Sequence, residues 1–247
     1  MSTPITALAI ISIPAVLGLG FFLGLKHATE ADHLAAVSTI VSDRKNIWNS
    51  MLVGGLWGAG HTVSLFIAGM LVLLLEFQIS ERVERGLETC VGLMLTILGL
   101  NVIRKLVVGG RIHLHTHDHD GHIHAHPHLH VKDEIDEPHT HHGLSLSPKA
   151  LFIGMVHGMA GSAALMLLVI PTIDSRMLGL AYIAIFGIGS IAGMMLMSLF
   201  VSLPFRLTSF RFNRINQGLQ ICAGILSLVL GLWIVYEKTV TENLFAL

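Results

Sequence analysis

His27, Glu30, Asp32 and His33 place two imidazoles and two carboxylates in one short stretch, His27-Ala28-Thr29-Glu30-Ala31-Asp32-His33. Apolar sequence flanks it, from Val16 to Leu25 before and from Leu34 to Val41 after. Imidazole with carboxylate suits borderline divalent cations such as Ni2+, Co2+ and Zn2+, and no thiolate stands beside it. Two carboxylates offset the charge of a dication, and each donor binds in its deprotonated form. On an ideal helix His27, Glu30 and His33 are three apart and share a face, whereas Asp32 lies about 140° round from His27. Asp32 then either orients a histidine through its second ring nitrogen or sits where the helix is locally unwound. A solvated helix end in the headgroup layer is the plainer alternative for the whole stretch.

Two further histidines fall inside apolar sequence. His61 follows Gly54, Gly55, Gly58 and Gly60 and precedes Thr62 and Ser64. Small residues spaced four apart let helices approach closely, which would bring His61 up to the His27–His33 stretch. His157 lies in a later apolar run and is either a further ligand or a packing residue. The candidate metal ligands are therefore His27, Glu30, Asp32, His33, His61 and His157, with a divalent ion as cargo and no prosthetic group.

The elements that hold these residues are membrane helices. The 247-residue chain is 53% hydrophobic and 13% charged, with mean hydropathy +0.71, where a soluble domain carries about 25% charged residues. Apolar runs at 5–41, 51–75, 87–108, 148–170, 177–203 and 216–236 reach or exceed the ~20 residues a spanning helix needs. Runs of that length are far too long for barrel strands. The sequence predicts an all-α, polytopic transmembrane helix bundle of about six spans. A charge at the bilayer centre costs roughly 2.5–3.5 kcal/mol on the insertion scale, so polar residues there mark an ion path.

The chain also repeats itself. Phe22-x-Gly24-x-x-His27 recurs as Phe152-x-Gly154-x-x-His157, and Trp57-Gly58-Ala59-Gly60-His61 as Phe186-Gly187-Ile188-Gly189-Ser190. Cys90-x-Gly92 with Gly99 recurs as Cys222-x-Gly224 with Gly231. The offset stays at about 130 residues, so the chain reads as two three-helix halves, 1–108 and 148–247. Three spans per half make the second half enter from the opposite side, an inverted repeat with its site near the midplane. The repeat maps the span around His157 onto about 17–41, which puts His27 to His33 mid-membrane. Residues 4–16 become an extra apolar lead-in. Ala160, Ser162 and Ala163 stand where the first half has Glu30, Asp32 and His33, so the site is expected to be asymmetric.

Residues 109–147 form a polar insert that holds all the other histidines, His113 to His142, with acidic residues among them. Such composition predicts a disordered, metal-binding segment. One side of a six-span chain carries Arg82, Arg85, Arg176 and Lys238. The other carries Arg44, Lys45, Arg104, Lys105, Arg111, Lys132, Lys149, Arg206, Arg211 and Arg214. The positive-inside rule makes the second side cytoplasmic, with the insert cytoplasmic and both termini outside.

Other functions fit poorly. There is no basic patch for nucleic acid, and no G-x-x-x-x-G-K-[ST] loop for ATP hydrolysis. The first basic residue is Lys26, so a signal peptide's charged n-region is not expected. Cys90 and Cys222 are expected to pack as small hydrophobes. A membrane thiol–disulfide electron carrier built on them is the rival reading, and it leaves the histidines unexplained.

His27-Ala28-Thr29-Glu30-Ala31-Asp32-His33 resembles the signature helix of the nickel/cobalt transporter family and its urease- and hydrogenase-associated relatives. Gly58-Ala59-Gly60-His61-Thr62-Val63-Ser64 looks like the helix that follows in that family. The histidine-rich insert is similar to loops of nickel/cobalt exporters in the same group, and His157-Gly158-Met159-Ala160-Gly161-Ser162 extends the likeness into the fourth run. The resemblance implies that His27, Asp32 and His33 recognise metal with His61 beside them. It implies a non-enzymatic secondary transporter of Ni2+, or Co2+, in the cell (inner) membrane, with nickel-enzyme maturation proteins for urease or hydrogenase as partners. Uptake is the favoured direction and efflux the alternative. The larger permeases have eight spans and a second acidic motif, where this chain has Gly161-Ser162-Ala163-Ala164. The likeness is to a shorter, six-span branch.

Overall fold

The computed structural model describes residues 13–42, 46–76, 80–108, 112–119, 122–129, 148–160, 175–209, 212–242 and 244, with the strands described by their backbone. Among the described residues seven α-helices carry the structure: α1 (Ile13–His27), α2 (Ala31–Val41), α3 (Ile47–Leu75), α4 (Glu81–Val108), α5 (Pro148–Ala160), α6 (Arg176–Ser209) and α7 (Asn213–Tyr236). A π-helical turn, Glu237–Thr241, extends α7. Most of the expected lead-in at 4–16, and the fourth apolar run beyond Ala160, lie outside the described residues.

Helices α3, α4, α6 and α7 with its π turn are each long and apolar enough to cross a bilayer. Their outward faces are apolar too: Leu93, Ile97, Leu100, Phe200, Ile225, Val229 and Trp233 are all exposed. A helix apolar on both its inner and its outer face belongs in lipid, and this is a helical membrane protein. Cys90 and Cys222 are exposed and unbonded, so neither is the packed small hydrophobe expected of it.

The first apolar run is two helices. Backbone bonding tightens at its centre, where Thr29 N–H donates to Lys26 O (2.9 Å) and Glu30 N–H to His27 O (3.1 Å). The Thr29 hydroxyl also donates to Lys26 O (2.6 Å). Glu30 then turns extended (φ −65°, ψ 152°) as the N-cap of α2. The unwound alternative for the polar stretch is the one observed, and it moves Glu30 off the face it would share with His27 and His33. Asp32 falls in the first turn of α2, where a carboxylate complements the helix dipole.

In the bundle α3 lies against both α5 and α6, α1 against α6, and α4 against α7, while α2 touches α4, α6 and α7. The contacts are made backbone to backbone at glycine. A Cβ on Gly24 would collide with the Phe186 carbonyl, and one on Gly154 with the Trp57 carbonyl. Likewise Gly60 rests on Leu151 O and Gly189 on Phe21 O. The α4–α7 crossing pairs Gly92 with Gly231 and Gly99 with Gly224. Hydroxyls tie the same helices: Ser64 donates to Met155 O (2.9 Å), Thr62 to Gly187 O (3.1 Å) and Ser227 to Leu95 O (2.8 Å). One apolar cluster, with Ala35, Ala36, Val37, Val53, Trp57, Leu95 and Met194, fills the space between α2, α3, α4 and α6. A smaller one of Leu65, Tyr182, Ile183 and Phe186 joins α3 to α6.

Part of the insert departs from the expected disorder. Ile112–His119 (β1) and His122–Leu129 (β2) pair as an antiparallel hairpin. Its register sets His113 opposite His128, His115 opposite His126, His117 opposite His124 and His119 opposite His122. Alternating sequence supplies the reason, since every second residue on both strands is a histidine. Residues 130–147 lie outside the described residues.

Candidate metal centre

Three connections bring the histidines together. The break after α1 turns His33 back toward His27, whose ring centroids lie 4.4 Å apart. The glycine seam of α3 and α5 sets His61 beside His157, because Gly158 sits directly on the His61 backbone. Contact of α3 with α6, and of α6 with α1, carries the first pair to the second. The His27–His61 and His33–His61 centroids are 5.1 and 5.4 Å apart, and His33–His157 4.2 Å. His27 is 1% exposed, and His33, His61 and His157 are 0% exposed.

Asp32 bridges the halves of the chain. Its Oδ1 is 2.9 Å from His33 Nδ1 and its Oδ2 is 2.8 Å from His157 Nε2. Glu30 stands at the rim, its side chain 48% exposed against 24% for Asp32, with Oε2 3.0 Å from His27 Nδ1. That last pair is close enough for charge attraction but lacks hydrogen-bond alignment, so His27 Nδ1 has no bonded partner.

The nitrogens left over are the chemically informative ones. His27 Nε2, His33 Nε2, both nitrogens of His61 and His157 Nδ1 are buried with no hydrogen-bond partner among the described residues. A buried polar group without a partner costs about 1–3 kcal/mol, so several in one place mark a site kept for a ligand. The donors fall into two sets, His27–His33–His61 and Asp32–His33–His157. Within each, one donor atom per residue lies within 4.8 Å of the others. Metal–nitrogen bonds of ~2.0–2.1 Å put the donors of one first-row dication at most about 4.2 Å apart, so each set would draw in round an ion. The arrangement can hold a borderline cation in a site of nitrogen and oxygen.

Of the residues singled out from sequence, His27, His33, His61 and His157 converge, Asp32 joins them, and Glu30 lies at the edge. Two site residues were missed. Trp57 stacks near His33 (5.4 Å) and His157 (5.5 Å), and Phe186 near His27 (5.5 Å). They wall the histidines with apolar rings. Both open the repeated Gly-x-Gly runs, and Trp57 lies one helical turn before His61, which was the signal available.

The chain is 40% identical to the urease accessory protein UreH of Bacillus sp. (strain TB-90), over 96% of this chain and 97% of that protein. It is 28% identical to the chloroplast protein FOR GROWTH AND FERTILITY 2 of Arabidopsis thaliana, over 89% of this chain and 55% of that one. A shorter match, 32% identical over 75 residues, is to the high-affinity nickel transport protein of Cupriavidus necator, covering 29% of this chain and 21% of that one. No protein-family model and no solved structure matches the chain. The first and third of these names belong to accessory and transport proteins, not to catalysts.

Proposed function

Because the chain belongs to the family of the urease accessory protein UreH, we propose that it carries Ni2+ across the membrane through the buried histidine centre. Co2+ is the second cargo that the donor set admits. The observation that carries this reading is the meeting of His27, His33, His61, His157 and Asp32, from α1, α2, α3 and α5, inside an apolar bundle. Ion binding would satisfy nitrogens that no group among the described residues satisfies. Metal held this way needs no nucleotide: an inside-negative potential of 100 mV drives a dication inward by roughly 4–5 kcal/mol, at about 2.3 per unit charge. Nickel delivered inward would serve a urease, the enzyme to which the name of the Bacillus relative makes it accessory.

The six-span inverted repeat is part of the proposal. Helices α1 and α2 together, α3 and α4 form one half; α5 with the residues after it, α6 and α7 form the other. What supports it is the reciprocity of the glycine contacts. Gly24 on Phe186 has its counterpart in Gly154 on Trp57, and Gly60 on Leu151 in Gly189 on Phe21. Those pairs exchange under the sequence repeat, as a two-fold axis between halves requires. A cytoplasmic insert and external termini follow from the charge distribution, and residence in the inner membrane from the resemblance to nickel/cobalt transporters.

Uptake of labelled Ni2+ by whole cells tests the function and its direction. His27→Ala should cut accumulation to that of cells without the protein. Excess accumulation would instead make the protein an exporter, and no change would remove the histidine centre from transport. Deleting residues 112–142 is expected to leave uptake several-fold above background with an altered dependence on Ni2+ concentration. Complete loss there would move the work from the helices to the insert.

A further inference from the structure

We propose that the five donors form two adjacent ion positions sharing His33, between which the cation steps during transport. One is all-imidazole (His27, His33, His61) and the other contains carboxylate (Asp32, His33, His157). This rests on the transport reading above.

Geometry separates the two. Donors on one ion can stand no farther apart than about 4.2 Å, twice the metal–nitrogen bond. Each set of three has its donor atoms within 4.8 Å of one another and would draw in round an ion, and no such set among the described residues contains both His61 and His157, whose ring centroids are 6.0 Å apart. His33 has a nitrogen for each side: Nδ1 lies against Asp32 at 2.9 Å, and Nε2 is buried without a partner. An ion changing position would exchange one ring nitrogen of this residue for the other.

The positions also differ in chemistry and in what they span. The first takes every ligand from α1, α2 and α3, and its nearest carboxylate is Glu30, 3.0 Å from His27. Neutral imidazole favours Ni2+, Co2+ or Zn2+ over hard Mg2+ or Ca2+, so selection belongs here. The second adds a carboxylate, which offsets one charge, and joins α2 to α5 through Asp32 and His157. Only this position changes shape when the two halves move against each other. In the structure Asp32 and His157 are bonded to each other at 2.8 Å, while His27 Nε2 and both nitrogens of His61 are unpartnered.

Co2+ binding to the purified full-length chain in detergent, read by equilibrium dialysis and by the visible d–d spectrum, tests this. His61→Ala and His157→Ala should each still bind one Co2+, the variant that keeps the tighter position within about two-fold of the parent and the other more weakly. Their spectra should differ, one for a site with carboxylate and one for imidazole alone. The double variant should lose binding. His61→Asn and His157→Asn, which keep polar bulk, give the same comparison should an alanine variant aggregate. If either single variant abolishes binding, or both give one spectrum, a single site exists and the two-position proposal fails while transport stands. If the parent chain binds neither Co2+ nor Ni2+, the transport reading fails with it.

Discussion

Replacing His33 with alanine is expected to abolish both metal binding and transport. No other side chain is common to both donor sets. It is fully buried, and its ring lies within 5.4 Å of three other imidazoles. Loss of a residue that merely orients a ligand weakens metal binding 10–100-fold, so loss of this shared donor should exceed about 100-fold. Asp32 would lose one of its two imidazole partners as well. Dialysis with labelled Ni2+ and uptake by cells measure the two effects. Glu30→Gln should cost far less, about 10-fold at most, because Glu30 is exposed at the rim and its carboxylate pairs with His27 alone among the described ion pairs. An equal loss for both would place the binding determinant at the rim and not among the buried nitrogens.

The second large effect is expected at the glycine seam. A Cβ on Gly24 or Gly154 meets a carbonyl oxygen of the opposing helix, with no flexible side chain to give way. Forcing extra atoms into a packed contact costs about 1–3 kcal/mol and more where backbone must move. Gly24→Ala and Gly154→Ala should therefore each lower the thermal midpoint and the folded yield in detergent by similar amounts. Gly18 is the control, since its Cβ would meet nothing within 4 Å. Gly18→Ala should be neutral or stabilising by up to about 1 kcal/mol, from helix propensity alone. A Gly24→Ala protein as stable as Gly18→Ala would mean that α1 and α6 are not in backbone contact.

The gathering of four histidines was legible in the sequence because three signals agreed. Polar residues stood where lipid forbids them, glycines marked close crossings, and the repeat aligned His27 with His157. The helix break was legible only as one of two options. Periodicity of 3.6 says which residues share a face of a continuous helix, but Thr29 and Glu30 carry no proline or glycine to announce an interruption. The Asp32–His157 bond could not be read at all. It joins residues far apart in sequence, and its existence depends on how closely α5 approaches α2, which glycine-on-carbonyl contacts determine in three dimensions. The hairpin was missed for a different reason: polar composition argues against a packed core, yet strict alternation of histidine is also a strand pattern.

Where Gly24 lies on the Phe186 carbonyl and Gly154 on that of Trp57, the main chain itself sets the spacing of the helices. Rings sit in the same seams, Tyr182 against Gly20 and Trp57 against Gly154. Pulling these helices apart forfeits close dispersion contact along their whole length. One seam thus holds both the distance and the register at which the buried imidazoles meet.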